Sequence, residues 1–165
     1  MNADVTPMNA DHSRENLDAL SRVVIGSAQR VSRSLGFGFL EKVYENSLMI
    51  ELEGSGLAVR QQEPVHVTYA GRIVGDYIPD LVVEGMMVVE IKALPALQAS
   101  HRMQCVNYLR ATDIEVGLLL NFGLKPEFKR LIFDNPRKVA RANASISIGT
   151  LLIADSETED PSPPS

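Results

Sequence analysis

The sequence predicts an α/β domain in which a mixed sheet of four to five strands is flanked by helices. Helical spacing of apolar residues dominates residues 16–53, and strand-like runs separated by Gly-containing turns follow to residue 91. A further helix and an apolar strand come next. Consecutive strands joined by tight turns pair antiparallel, whereas a strand–helix–strand unit places its strands parallel. We therefore expect an antiparallel meander extended by one helix-connected strand.

The predicted helices span residues 16–35, 39–53 and 99–111. In the first two, apolar residues recur at steps of three and four, which places them on one buried face. Glycines follow each of these two helices directly, and glycine is the residue that most readily ends a helix.

Strand patterns fill most of the remaining sequence. Ala70-Gly71 and Glu84-Gly85 are expected to form turns, and Pro79 is expected to kink the second strand. The expected strands are 59–69, 72–83, 86–91, 116–121 and an edge strand at 128–133.

The chain divides into one domain and flanking segments. Residues 1–13 and 154–165 are polar and lack periodicity, so we expect a disordered N-terminal tail and a disordered acidic C-terminal tail. The domain is expected at 14–135, followed by a C-terminal extension at 136–153 that could add a strand. A length of 165 residues suits this division.

The net charge of −5 does not exclude a nucleic-acid partner. Six acids lie in the tails, and removing them leaves 15 acids against 16 bases, a core near +1. These acids are Asp4, Asp11, Asp155, Glu157, Glu159 and Asp160.

Several classes of protein are excluded or disfavoured. The single cysteine, Cys105, permits no intrachain disulfide and is expected to be buried and inert. The N-terminus does not resemble a signal peptide, and no apolar run reaches the roughly 18 residues of a membrane span. We expect a cytoplasmic protein without a membrane partner. The three histidines lack zinc-ligand spacing, and no Walker-type phosphate loop is present.

The strongest candidate site combines Asp80, Glu90 and Lys92. Glu90 and Lys92 are two apart on an otherwise apolar strand, so both point to one face. Carboxylates bind Mg²⁺ or Mn²⁺, and such an ion can polarise a phosphodiester while a lysine stabilises developing negative charge. The alternative is a plain ion pair at the end of the sheet.

The turn at Glu84-Gly85 decides whether Asp80 and Glu90 share a face. A two-residue loop would pair residue 83 with 86 and separate the two carboxylates. A three-residue loop at 83–85, with Gly85 left-handed, would pair 82 with 86 and put both on one face. We expect the second arrangement.

Two helices offer further candidates. Glu41, Tyr44 and Glu45 share one side of the second helix, so Glu41 could supply a third metal ligand; the alternative is a solvated flank beside Lys42. The third helix carries a polar stripe that could approach the same site, although its histidine alone would be taken for a surface residue. The stripe consists of His101, Gln104 and Tyr108.

Together these motifs resemble the GxxExxY protein family, a branch of the PD-(D/E)xK nuclease-like superfamily. GFGFLEKVYENSL contains Gly38, Glu41 and Tyr44 at the GxxExxY spacing. PDLVVEGMMVVEIKA resembles the nuclease core, and Gln104-x-x-x-Tyr108 resembles the QxxxY motif of the RecB-type branch. The resemblance covers roughly residues 15–135.

The resemblance implies a restriction-endonuclease-like core and a role for each motif residue. Asp80 and Glu90 would be metal ligands, Lys92 the catalytic lysine and Glu41 an additional ligand. The remaining motif residues and their neighbours would position substrate or water: Gln104, Tyr108, His101, Glu45 and Tyr44.

The function this implies is a Mg²⁺-dependent nuclease (or a Mn²⁺-dependent one) acting on DNA or RNA. The alternatives are a catalytically silent nucleic-acid-binding or regulatory module on the same fold, and a protein-interaction role suggested by the acidic tail. The sequence leaves the oligomeric state open, a homodimer included.

Overall fold

The computed structural model describes the backbone of residues 8–134 and the side chains from residue 14 onward. This part of the chain forms three helices and seven strands. They are α1 (Met8–Leu35), α2 (Glu41–Gly54), β1 (Val59–Gln61), β2 (Val65–Tyr69), β3 (Arg72–Tyr77), β4 (Leu81–Val83), β5 (Met87–Lys92), α3 (Ala99–Ala111), β6 (Val116–Asn121) and β7 (Glu127–Ile132).

Five strands form the main sheet in the order β1-β4-β5-β6-β7. Strands β5 and β6, which α3 connects, are parallel, and every other neighbouring pair is antiparallel. The expected mixed α/β sheet with one helix-connected parallel pair is therefore confirmed. Strand β7 lies at an edge, as expected.

The first helix is longer than its apolar pattern indicates. Helix α1 begins at Met8, so the expectation of disorder is wrong for residues 8–13. This segment has no apolar stripe, but adding residues to an existing helix costs far less than nucleating one. The packed part of α1 can therefore extend the helix towards the N-terminus.

The two long strands of the expected meander are each divided in two. Strands β2 and β3 form a separate two-stranded hairpin, while β1 and β4 belong to the main sheet. One break lies at Gln62, whose φ of +53° is left-handed, just before Pro64. The other break includes Pro79, which has no N–H to donate to a ladder. The predicted turn at Ala70-Gly71 is confirmed, because Tyr69 pairs with Arg72.

The β4–β5 loop differs from both arrangements that the sequence suggested. Val83 pairs with Met87 and Val82 with Val88, so the three-residue loop consists of residues 84–86. The predicted loop at 83–85 is wrong by one position. Glu84 and Gly85 both have positive φ, at 53° and 64°, and the Met86 amide donates to the Val83 carbonyl. A sequence cannot easily reveal that a glutamate takes up this conformation.

The two faces of the main sheet are covered by different helices. Residues of α1 and α2 pack with Val89 and Ile91 of β5 in the larger core. On the opposite face, Val88 packs with Tyr108 and Leu109 of α3. The alternation along β5 therefore directs Glu90 and Lys92 towards the α3 side, the same side as Val88.

Close packing of α3 on β6 explains one glycine and the state of Cys105. A Cβ at Gly117 would come within 2.6 Å of the Cys105 Sγ. Cys105 is a buried free thiol, and burial followed by the charge of Glu90 raises its pKa to about 12. The expected inert packing role fits this environment.

Three expectations concern parts of the chain that the structure does not cover. Residues 1–7 and the predicted segments at 136–153 and 154–165 lie outside the described residues. Between residues 8 and 134, no helix combines the length and apolar character needed to cross a bilayer.

Candidate functional site

Asp80 and Glu90 lie next to each other across the β4–β5 pair. The register pairs Leu81 with Val89, and continuing it by one residue sets Asp80 opposite Glu90. The Ile91 amide donates a hydrogen bond of 2.7 Å to Asp80 Oδ2. The expectation that the two carboxylates share a face is therefore met, although through a different loop.

Lys92 is the third member of this cluster. It is two residues beyond Glu90 at the end of β5, and its Nζ lies 4.0 Å from Glu90 Oε2. Its side chain is largely buried. The ammonium group also lowers the pKa of Asp80, which shows that it lies within electrostatic reach of both acids.

Glu90 is in an environment that disfavours its negative charge. It is only 2% exposed, and its Oε1 is buried with no hydrogen-bond partner in the part of the chain described. Burial, followed by repulsion from Asp80, raises the pKa of Glu90 to about 8 despite the opposing effect of Lys92. Burial also raises the pKa of Asp80, and Glu45 adds to the rise. Two such carboxylates need protons or a cation.

This environment makes the metal-free protein sensitive to pH. The folded pKa of Glu90, about 8, exceeds its ordinary value of 4.5, so the folded chain holds a proton that the unfolded chain has already lost. The resulting stabilisation is complete below pH 4.5 and is lost as the pH rises through 8. With EDTA present, the loss of unfolding free energy from Glu90 should be at most about 5 kcal/mol.

Thermal melts between pH 5 and 9 provide the measurement. We expect the melting temperature of the wild type to fall, by on the order of 5–10 °C more than that of Glu90→Gln, which has no such proton to lose. Parallel pH profiles for the two proteins would contradict the assignment of this proton to Glu90.

The helix carboxylate nearest the cluster is Glu45, whereas the expected one was Glu41. Glu41 is exposed at the start of α2, and the described residues provide it with no hydrogen bond or ion pair. Glu45 is buried one turn later, and its charge raises the pKa of Asp80. Its Oε1 accepts from Lys42 Nζ at 2.9 Å. The structure therefore brings Glu45, and not Glu41, to Asp80.

Two glutamines that the sequence analysis did not select connect α2 to the cluster. Gln61 Nε2 donates to Glu45 Oε1 at 2.6 Å. Gln62 Nε2 lies 3.0 Å from Glu45 Oε1 and 3.2 Å from Asp80 Oδ1. The Gln62 amide also donates to the Asp80 carbonyl. The only signal in the sequence was a polar Gln-Gln pair interrupting a strand-like run just before Pro64.

Tyr44 lies in the core and organises the loop between α1 and α2. Its hydroxyl donates to the Gly36 carbonyl at 2.7 Å and accepts from the Phe39 amide at 3.3 Å. Its ring stacks on Phe122 with centroids 4.7 Å apart. No contact of Tyr44 with Asp80 is seen among residues 14–134, so its observed contacts hold a loop.

Tyr108 brings α3 to the cluster. Its hydroxyl donates to the Ile78 carbonyl at 2.9 Å and accepts from Gln104 Nε2 at 3.4 Å. Burial, and then the charge of Glu90, raises the pKa of Tyr108 to about 12. Tyr108 therefore lies beside Glu90, and Gln104 is bonded to the Tyr108 hydroxyl.

His101, by contrast, caps its own helix. Its Nδ1 accepts a hydrogen bond of 3.0 Å from the Gln98 amide, and the Gln98 side chain completes a capping box. These contacts make His101 part of the N-terminal cap of α3. They do not place it against the carboxylates.

Asn121 is a third residue, after Gln61 and Gln62, that the sequence did not single out. It aligns with Lys92 in the parallel β5–β6 register and is fully buried. Its amide exchanges two hydrogen bonds of 2.9 Å with the Leu94 backbone. A polar residue that ends an apolar strand was the available signal. Asn121 fixes the segment that follows Lys92.

The cluster fits a divalent cation that is held partly by water. No group of three or more His, Cys, Asp or Glu side chains within the described residues is arranged to hold a metal ion. Mg²⁺, however, usually keeps several waters and needs only one or two carboxylates. Asp80 and the unpartnered Oε1 of Glu90 supply such a pair.

Comparison with known protein families decides the classification. A model of the PD-(D/E)XK nuclease superfamily matches residues 18–131, which is most of the chain. The chain belongs to the PD-(D/E)XK nuclease superfamily. Within this PD-(D/E)XK protein, the match contains the whole carboxylate cluster, both glutamines and α3. Among curated proteins, none matches the sequence.

Two solved structures show distant similarity to this PD-(D/E)XK protein. The crystal structure of SSO0001 aligns with 18% identity and a TM-score of 0.46, covering 65% of this chain and 57% of that one. An alkaline exonuclease, LHK-Exo from Laribacter hongkongensis, aligns with 13% identity and a TM-score of 0.40, covering 77% and 85%. The chain thus spans a little over half the length of SSO0001.

Proposed function

We propose that this protein is a divalent-metal-dependent nuclease that hydrolyses phosphodiester bonds in DNA or RNA with Mg²⁺ or Mn²⁺. The observation that carries the proposal is the buried, unpartnered Glu90 Oε1 beside Asp80, with Lys92 Nζ 4.0 Å from the other Glu90 oxygen. Buried carboxylate oxygens rarely lack a hydrogen-bond partner, so an open ligand position explains Glu90 Oε1 better than a structural ion pair does. Membership of the PD-(D/E)XK superfamily supports the same chemistry.

Each residue of the cluster has a distinct role in this proposal. A bound divalent ion would polarise the phosphodiester and increase the acidity of a water molecule. Asp80 and Glu90 hold the ion. Lys92 orients the attacking water or offsets charge that develops on the phosphate. Tyr108, with Gln104 bound to its hydroxyl, positions the phosphate or a water beside Glu90.

Glu45 acts through Gln62 as a positioning residue. Gln62 bridges Glu45 and Asp80, so it fixes the orientation of the Asp80 carboxylate. Its left-handed backbone, with a φ of +53°, is unusual for glutamine, and such strain is often found at functional sites. The negative charge of Glu45 also adds to the attraction for a cation.

Glu45→Gln and Glu41→Gln form a matched pair that tests this role. Glu45→Gln should weaken Mg²⁺ affinity by about 10- to 100-fold, the range seen when a ligand loses its supporting partner. Glu41→Gln should leave the affinity unchanged, because Glu41 is exposed. Titration calorimetry with Mg²⁺ or Mn²⁺ provides the measurement. An equal loss in both variants would contradict the proposed arrangement, and a loss in Glu41→Gln alone would restore Glu41 as a ligand.

The proposal extends to the GxxExxY branch of the superfamily. Its support is the motif itself, in which Gly38 has a φ of +105° and Tyr44 anchors the loop. In this protein the motif glutamate, Glu41, is exposed. A role for the motif in loop architecture explains Gly38 by its positive φ and Tyr44 by its hydrogen bonds to the loop.

An activity assay tests the proposed function directly. Supercoiled plasmid, linear single-stranded DNA and RNA are each incubated with the wild type in Mg²⁺, Mn²⁺ or EDTA. We expect cleavage of at least one substrate with metal and none with EDTA, and Asp80→Asn serves as the control for a contaminating nuclease. Binding without cleavage of any substrate would replace the enzyme with a catalytically silent binding module.

A further inference from the structure

The loop between α1 and α2 presents large apolar side chains to solvent. Phe37 is 62% exposed and Phe39 49%, and Leu40 beside them is more exposed still. The loop backbone is held at both ends by the Tyr44 hydroxyl, which bonds to Gly36 and Phe39. Several exposed apolar side chains on one short, hydrogen-bonded loop are typical of a binding surface. We name Phe37, Phe39 and Leu40 the aromatic platform.

A chain of direct contacts connects the aromatic platform to the carboxylate cluster. The Phe122 amide donates to the Lys92 carbonyl at 2.7 Å. The Phe122 ring stacks on Tyr44, and the Tyr44 ring meets Phe39 edge-on with centroids 6.3 Å apart. The platform therefore adjoins the end of β5 that carries Lys92.

The segments next to the platform contain two cations without an ion-pair partner among the described residues, although the whole chain carries −5. Residues 33–42 and 122–127 contain three cations, Arg33, Lys42 and Lys125, and two acids, Glu41 and Glu127, the latter paired with Lys129. Lys42 is paired with Glu45, while Arg33 and Lys125 have no ion-pair partner within residues 14–134. Exposed rings between free cations match a ligand with flat apolar faces and negative charge.

Arg33, four residues before Phe37, also lines a hollow. The hollow has a volume of about 410 Å³ and lies between α1 and β7. Its other lining residues are Gln29, Ser32, Pro126 and Phe128. Lys125 precedes Pro126 directly, so both unpaired cations lie at this hollow or next to it. The two unpaired cations thus lie near the C-terminal end of α1, just before the platform in the chain.

We propose that the aromatic platform binds unpaired nucleotides, which makes single-stranded nucleic acid the preferred substrate of the proposed nuclease. This inference rests on the proposed function. Bases stack on Phe37 and Phe39, while phosphates lie along Arg33 and Lys125. Stacking on aromatic side chains requires free base faces, which a duplex hides within its own stack. A cationic groove with stacking rings is the general arrangement for binding single strands.

A tryptophan reporter tests the inference without depending on cleavage. The chain contains no tryptophan, so Phe37→Trp introduces a single fluorophore on the platform. The control is Ile50→Trp, on the same helix as Lys42 but roughly 12 Å further along α2 and 71% exposed. Each variant is titrated in EDTA with a dT oligonucleotide of about 15 nucleotides, and with a duplex of equal length.

We expect the dT oligonucleotide to quench Phe37→Trp and not Ile50→Trp, with weaker quenching by the duplex and loss of quenching at high salt. In anisotropy titrations, Phe37→Ala and Phe39→Ala should each weaken binding about 5- to 150-fold, whereas Ile50→Ala should not. Phe37 and Ile50 are mostly exposed, so their alanine variants should melt like the wild type. Phe39→Ala should melt slightly lower, because it loses the edge-on contact with Tyr44.

Other results would overturn the inference. Equal affinity for duplex and single strand, or unchanged binding by Phe37→Ala and Phe39→Ala, would show that no base stacks on the platform. A dimer in sedimentation experiments that Phe37→Ala dissociates would make the platform a contact between copies of the chain. Platform-dependent binding of dT without cleavage of any substrate would leave this inference standing while the proposed nuclease activity fails.

Discussion

Replacing Lys92 with Met is expected to slow phosphodiester cleavage by about two to three orders of magnitude, the range typical for removing one electrostatic stabiliser. Methionine keeps the length and apolar character of the lysine stem but removes the ammonium that lies 4.0 Å from Glu90. The charge acts mainly on the transition state, so the loss should appear in kcat more than in KM. Single-turnover cleavage measured with saturating metal tests this expectation.

Lys92→Met should keep its ability to bind metal although it loses cleavage activity. A charged lysine has no lone pair for a cation and repels it, so metal-induced stabilisation should persist or increase. Lys129→Met is a suitable control, because Lys129 is exposed on β7 and pairs with Glu127. If Lys92→Met and Lys129→Met cleave equally fast, Lys92 is not the catalytic lysine. Loss of the metal response in Lys92→Met would indicate a damaged site.

Asp80→Asn is expected to abolish stabilisation by divalent metal. A ligand that binds only the folded chain, at a concentration 100 times its Kd, stabilises that chain by about 2.7 kcal/mol. Mg²⁺ or Mn²⁺ should thus raise the melting temperature of the wild type by several degrees and leave that of Asp80→Asn unchanged. Cleavage should disappear with the metal response.

The fold should tolerate Asp80→Asn. An asparagine carbonyl oxygen can still accept the hydrogen bond of the Ile91 amide, which is 2.7 Å long in the wild type. Removing the charge also relieves repulsion from Glu90 and Glu45, so the metal-free variant should be at least as stable as the wild type. Asp76→Asn, on the exposed β2–β3 hairpin, is the control. A wild-type metal response in Asp80→Asn would remove Asp80 from the site.

The sequence predicted the parts of the site that depend on local pattern. Glu90 and Lys92 point to one face because side chains alternate along a strand, and nothing elsewhere in the fold can change that. Gln104 and Tyr108 lie on the same side of α3 because residues four apart are neighbours on a helix surface. Helix α3 and strand β6 also match their predicted bounds. The polar stripe at steps of three and four marks α3, and a short apolar run marks β6.

The strand register and the geometry of the β4–β5 loop were harder to predict from the sequence. Asp80 and Glu90 can bind one metal ion only if both point to the same face of the sheet. A three-residue loop at 83–85 and one at 84–86 both allow this, and the sequence does not show which of the two forms. The structure selects the latter because Glu84 takes up a left-handed conformation. Its carboxylate Oε1 accepts a hydrogen bond of 2.5 Å from the Ala58 amide, a contact with a segment 26 residues away. Only the folded chain supplies that partner.

Tertiary structure also decided which of Glu41 and Glu45 lies near Asp80. The two residues are one helical turn apart on the same side of α2, so periodicity treats them as equivalent. The position of β1 relative to α2 decides between them, because Gln61 and Gln62 at its end bond to Glu45. Local sequence thus determined which side chains are acidic and which of them share a face of a strand or helix. Packing between distant segments determined which acids meet, because burial and hydrogen bonding depend on neighbours that sequence spacing does not specify.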